Sequence, residues 1–142
     1  MDLSKMTQCA DLARPADEIG YERGGLAPWQ VRLVDVHIET HLNTEITVQE
    51  LASLVRLSIS HFGRAFKATF GRPPHAHIVG ERMVRAQSLM LRTDQSLAQI
   101  AMAVGMADQS HLSRQFRRFT GQSPLAWRRA RWTPEGADLV MQ

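Results

Sequence analysis

An all-α protein of about seven helices is the fold this sequence predicts, and three observations carry that expectation. From residue 31 onward apolar residues recur at spacings of three and four, the period of one helix face. No strand-like alternation of apolar and polar residues interrupts them. A short segment is also written nearly twice, as "SHFGRAFKATFG" at 60–71 and "SHLSRQFRRFTG" at 110–121.

Residues 1–27 contain Pro15, Gly20, Gly24 and Gly25 without a sustained apolar period, and read as a mobile leader. Helical periodicity starts in "APWQVRLVDVHIETHL", where Val31, Val34, Ile38 and Leu42 share a face. Pro28 suits the first turn, whose N–H groups lack helical partners anyway. Thr47 followed by Glu50 has the form of a capping box. It opens a short helix with Leu51, Ala52, Leu54 and Val55 expected inward. Ser58 is an N-cap for the first copy of the repeated helix. Phe62, Ala65, Phe66 and Phe70 form its buried stripe, and Gly71 its stop.

After the corner "RPP" a longer helix is expected from Pro74 to Thr93, with Ile78, Met83, Ala86 and Met90 inward. At helical rise it spans ~30 Å. The pattern then restarts. Ser96 with Gln99 makes a second capping box, followed by an inward stripe of Leu97, Ile100, Ala101 and Val104. Gly105 allows a turn, Asp108 caps the second copy, and Gly121 stops it, with Leu112, Phe116 and Phe119 inward. Ser123 and Pro124 open a last helix containing Trp127, and 133–142 read as a frayed acidic tail. The folded domain is therefore expected over 28–132, with subdomains at 28–72 and 96–132 joined by a linker helix at 74–93.

The net charge of +3 conceals a segregation. Residues 1–50 hold nine acids and four bases, whereas residues 51–133 hold three acids and thirteen bases, a balance of +10. A compact segment with that excess attracts polyanions, nucleic acid first among them. Fifteen of the seventeen bases are arginine, the side chain suited to bidentate contact with phosphate or guanine. Cys9 is the only cysteine, which excludes a disulfide framework and a cysteine-rich zinc site. No apolar run reaches membrane-span or signal-peptide form, so a cytoplasmic protein without membrane contact is expected.

Both copies fit S-H-[FL]-[GS]-R-x-F-[KR]-x-x-x-G-x-x-P, at 60–74 and 110–124, and each follows a short capped helix and a tight turn. Short helix, turn and second helix make a helix-turn-helix unit. The second turn holds one extra residue, near Ala107. With Phe62/Leu112 and Phe66/Phe116 turned inward, Ser60, Arg64 and Lys67, and likewise Ser110, Arg114 and Arg117, form an outward stripe. A B-DNA major groove admits such a helix, and arginine pairs there with guanine O6 and N7. Arg118 would sit near phosphates, which position the protein but do not specify sequence. Two reading helices on a ~30 Å spacer would match groove segments one turn, ~34 Å, apart.

On these residues the chain resembles the DNA-binding domain of the AraC/XylS transcription regulators. The pattern is carried by "LASLVRLSISHFGRAFKATFGRPPHAHI", "RMVRAQSLML" and "SLAQIAMAVGMADQSHLSRQFRRFTGQSPLAWRR". The resemblance implies two helix-turn-helix subdomains on a rigid linking helix, one monomer on an asymmetric duplex site, and activation through RNA polymerase. It places base reading on Ser60, Gly63 and Arg64 in the first copy, and on Gln109, Ser110, His111 and Arg114 in the second. Phosphate contacts fall to His61, Lys67, Arg72, Arg117 and Arg118. Gly63 has no side chain and Ser60 a small one, so the second copy is expected to carry more of the specificity. Met106 and Leu112 replace phenylalanines common in the family and should still pack. Members usually add an effector-binding or dimerisation domain, which residues 1–27 cannot form. The initiating Met1 favours a stand-alone regulator over a piece of a longer chain.

Plainer readings accompany several residues. His37 and His41, four apart, have a zinc-compatible spacing but read as surface histidines. His61 and His111 are either phosphate contacts or local hydrogen-bonders, and "HAH" at 75–77 is a capping turn or a weak phosphate contact. Arg82 lies between inward positions and needs a partner such as a helix-end carbonyl or Asp94. No cofactor and no small-molecule site are expected. The hydrolase and nucleotide-binding motifs G-x-S-x-G, H-E-x-x-H and G-x-x-x-x-G-K-[ST] are absent, so an enzyme is not expected. A basic helical adaptor for an acidic protein partner is the alternative reading.

Overall fold

The computed structural model of the chain describes residues 24–131. Among them are seven helices and no strand: α1 Pro28–Thr40, α2 Val48–Leu54, α3 Ile59–Phe70, α4 Pro74–Arg92, α5 Leu97–Ala103, α6 Gln109–Thr120 and α7 Pro124–Arg131. They divide into two compact units. The first holds residues 24–40 and 46–77, and the second holds 41–45 and the residues from 78 onward. The unit boundary thus falls inside α4, and the loop 41–45 groups with the second unit. A division at residue 72 is what the sequence suggested. No described helix is long and apolar enough to cross a membrane.

In the first unit Val34 and Ile38 of α1, Leu51 and Ala52 of α2, Val55, and Phe62, Ala65 and Phe66 of α3 are buried. Each fully buried large side chain contributes about 1.5–3 kcal/mol of transfer free energy. Phe66 stacks on Phe70 at 4.2 Å, and the His77 ring meets Phe66 edge-on at 5.3 Å. The capping box of α2 is fully formed. Thr47 Oγ1 accepts from the Glu50 N–H at 3.1 Å, and Glu50 Oε1 accepts from the Thr47 N–H at 3.0 Å. Glu50 Oε2 also meets His37 Nε2 at 2.9 Å, tying α2 to α1. The Thr47 N–H first, and the His37 ring second, hold the Glu50 carboxyl below its ordinary value.

Of the leader expected at 1–27, residues 1–23 lie outside the described residues, while Leu26 is fully buried and its N–H donates to Thr69 Oγ1 at 2.8 Å. A single anchoring side chain produces no periodicity, so sequence windows miss it. Cys9 and the tail at 133–142 also lie outside the described residues.

The core of the second unit comprises Met83, Ala86 and Met90 of α4, Ile100, Ala101 and Val104 of the α5 region, Met106 of the turn that follows, Leu112 and Phe116 of α6, and Trp127 of α7. Phe116 and Trp127 pack edge to face at 5.6 Å. Met106 and Leu112 are both buried, as expected of apolar replacements. Arg82 finds the helix-end kind of partner, not Asp94. Its Nη2 donates to the Thr44 carbonyl at 2.6 Å, just past the end of α1, and its Nη1 to the Gly105 carbonyl at 3.4 Å. Its Nε is buried without a hydrogen-bond partner, and burial lowers the guanidinium pKa.

Several inward expectations need correction. Phe119 is 42% exposed, Leu54 is exposed, and Phe70 and Leu97 are half-buried. Phe119 and Leu54 lie in the last turns of their helices. Periodicity fixes the direction of a side chain, not how far the core beneath it extends. α4 ends at Arg92, one residue before the expected Thr93. Leu42 lies beyond α1 yet is buried.

Candidate nucleic-acid interface

The two repeated helices are built alike from cap to cap. Val55 and Val104, which end α2 and α5, have nearly the same conformation, with φ −107° and −106°. The next residue is left-handed in both turns, Arg56 at φ 63° and Gly105 at φ 77°. The following N–H then returns to the short helix, Leu57 to the Ala52 carbonyl at 3.0 Å and Met106 to Ala101 at 2.9 Å. Only after this point does the extra residue Ala107 enter. The duplication thus extends to backbone geometry that the quoted sequence repeat does not include.

Ser58 caps α3 by accepting from the His61 N–H at 3.1 Å, and Asp108 caps α6 by accepting from the His111 N–H at 2.8 Å. Gly71 and Gly121 end the helices at φ 83° and 85°, a region that favours glycine. Fixing both ends sets the rotation of each helix. With Phe62 and Phe66 buried on α3, Ser60, His61, Arg64 and Lys67 are exposed. With Leu112 and Phe116 buried on α6, Gln109, Ser110, Arg114, Arg117 and Arg118 are exposed. Neither helix has an acidic residue in its first turn, so both exposed stripes are cationic.

Three assigned residues stand apart. His111 is half-buried, and its Nδ1 accepts from the Ala107 N–H at 3.3 Å. That bond holds the ring against the turn and leaves Nε2 for an outside acceptor. Arg72 lies past the end of α3, half-buried, with its Nε 3.4 Å from His77 Nδ1. His77 in turn rests on Phe66 and Phe70, so within "HAH" it is a packing residue, while His75 is exposed.

Gly63 is half-buried, and a Cβ built there meets no atom within 4 Å. Gly63→Ala should therefore stabilise the chain by about 0.5–1 kcal/mol, the ordinary gain of alanine over glycine inside a helix. Urea denaturation followed by circular dichroism measures it, and a net loss would mean the position is not open.

Sequence reading missed Arg128, for which α7 offers no local signal. Its guanidinium donates to three carbonyls at the end of α4 and just beyond it: Met90 at 3.1 Å, Thr93 at 2.6 Å and Gln95 at 2.6 Å. This base serves the fold. Arg131 lies 4.5 Å from the Trp127 ring centre, a cation–π contact. Among the described residues no group of three or more His, Cys, Asp or Glu side chains could hold a metal ion.

A helix-turn-helix domain model matches residues 51–130, which takes in both repeated helices and α4 between them. The chain belongs to the AraC/XylS family of transcription regulators. It is similar to the transcriptional activator RhaS of Klebsiella pneumoniae, 32% identical over 105 residues that cover 74% of this chain. The chain spans about a third of the length of the curated relatives it matches, 36% in that case. Among solved structures it resembles the C-terminal domain of AraT, a response regulator from Geobacillus stearothermophilus. The TM-score there is 0.71 at 28% identity, covering 75% of this chain and 88% of that one. It also resembles the DNA-binding domain of the global transcriptional factor AdpA, solved in complex with a target DNA. That match has a TM-score of 0.67 at 31% identity over 71% of this chain and 90% of the other. The matched residues form the family's helix-turn-helix domain, and their seven-helix architecture is that of the family.

Proposed function

We propose that the chain binds double-stranded DNA sequence-specifically and acts as an activator, inserting α3 and α6 into successive major-groove segments of an asymmetric site. The observation that carries this reading is the equivalence of the two helices. Side-chain N-caps and left-handed glycine stops at equivalent places leave a cationic stripe outward on each. Arg64 and Arg114 occupy matching positions from which a guanidinium can address guanine. Ser60 and Gly63, with Gln109, Ser110 and His111, complete the base-facing set. Lys67, Arg117 and Arg118, with His61 and Arg72, hold phosphates. The more basic α6 is the principal reader. The similarity to RhaS, a transcriptional activator, supports the direction of regulation, and the AdpA domain on its target DNA supports the ligand. RNA polymerase is the proposed protein partner and the cytoplasm the proposed location. Neither cofactor nor catalysis enters this function.

DNase footprinting on a selected duplex tests it, with ~20 bp of protection expected for two consecutive groove contacts. Arg114→Ala should cost ~1–3 kcal/mol of binding and relax one base position. Arg118→Ala should weaken all sequences alike and reduce the salt dependence by about one counterion. Protection of a single half-site, or equal losses on every sequence for both variants, would sink the assignment. Duplex DNA competing no better than another polyanion would point instead to an acidic protein partner.

A further inference from the structure

The two repeated helices open on different chemistry. α3 begins at Ile59 and α6 at Gln109, fifty residues apart and so at the same place in the repeat. Gln109 is one of the proposed base readers, whereas its counterpart is an isoleucine that stands 53% exposed. A single exposed apolar side chain is ordinary on a protein surface, but the position of this one is not. The first turn of a groove-bound recognition helix is the part that meets base edges. Ile59 also lies one turn before Gly63 on the same helix face. A Cβ at Gly63 would meet nothing within 4 Å, so the surface beside Ile59 is open where the second copy carries the side chain of Ser113.

We infer that Ile59 is a specificity-determining residue that reads the C5-methyl group of a thymine, a role that rests on the proposed insertion of α3 into the major groove. Base edges there present hydrogen-bond donors and acceptors, and the thymine methyl is the apolar group among them. Isoleucine has no donor or acceptor of its own. Opposite a polar edge it would strip water and return no hydrogen bond, whereas against a methyl both apolar surfaces leave water together. Gly63 lets that methyl come close, since no side chain stands between it and the helix backbone. At the matching place α6 offers the Gln109 amide, which suits the N6 and N7 edge of adenine. The two helices thus divide the site by chemistry, a methyl under the start of α3 and a hydrogen-bonding edge under the start of α6.

Deoxyuridine differs from thymidine only in lacking the methyl, and provides the test. Each thymine of the selected duplex is replaced in turn, and binding of the full chain is followed by fluorescence anisotropy. The α3 half-site is the one whose base preferences survive Arg114→Ala. One replacement there should weaken binding about fourfold, the equivalent of roughly 0.8 kcal/mol for one buried methyl. Ile59→Ala should bind the thymine and deoxyuridine duplexes alike, while Ile59→Val should keep the difference. Ile59→Gln, which copies the second helix, should move the preference at that base pair from thymine to adenine. An α3 half-site without thymine, or one indifferent to deoxyuridine throughout, overturns the inference and leaves the two-helix reading standing. An equal deoxyuridine loss in the wild type and in Ile59→Ala with an unchanged helical circular dichroism spectrum does the same. A chain that protects no duplex overturns both.

Discussion

Gly105→Ala is expected to destabilise the second unit by about 3 kcal/mol, and two costs add to that figure. The left-handed backbone at φ 77° costs a residue with a Cβ about 1–2 kcal/mol. The new Cβ would also run into the Leu42 carbonyl oxygen and come within 3.1 Å of the Arg82 guanidinium carbon. A carbonyl oxygen of the main chain cannot swing aside as a side-chain tip can. Overpacking of this kind costs roughly another 1–3 kcal/mol. The matching position of the first unit provides the control. Arg56 already has a Cβ at φ 63° and stands exposed, so Arg56→Gly should gain stability by about 1 kcal/mol through release of the left-handed strain. Urea unfolding of both variants measures the contrast. A loss below about 1 kcal/mol for Gly105→Ala would show that the loop 41–45 yields, contrary to the overpacking cost.

Arg128→Met should cost about 2–4 kcal/mol. Methionine keeps much of the apolar stem but removes every donor to the Met90, Thr93 and Gln95 carbonyls. Bonds from a charged donor are worth about 1.5–3 kcal/mol each, and the loss is less than their sum because the freed carbonyls recover some water. Arg128→Lys should rescue little, since one ammonium cannot span three carbonyls as a planar guanidinium does. Thermal denaturation compares the two. Near-wild-type melting of Arg128→Met would return this arginine to the pool of solvated surface bases.

How much was legible in advance follows from the range of each interaction. Caps, stops and helix faces were readable because they depend on residues within four positions of one another. Thr47 with Glu50, Ser96 with Gln99, and Gly71 and Gly121 all formed as their spacing suggested. The repeat was legible too, and with it the stripe through Arg64 and Arg114. Less accessible were Leu26 against Thr69, and the engagement of Arg72 with His77 at the start of α4.

The sequence alone determined the helices, their order and which side of α3 and α6 faces outward, because the 3.6-residue period and the end caps are local. Only the tertiary structure decided which bases remain for a ligand. Arg128 looks no different in sequence from Arg114 and Arg118, and Arg82 shows by its inward place only that it needs a partner, not which one. Arg82 and Arg128 are both withdrawn into the fold by carbonyls 23 to 38 residues away. Such pairings arise when loops and helix ends are brought together in space, and no spacing along the chain encodes them.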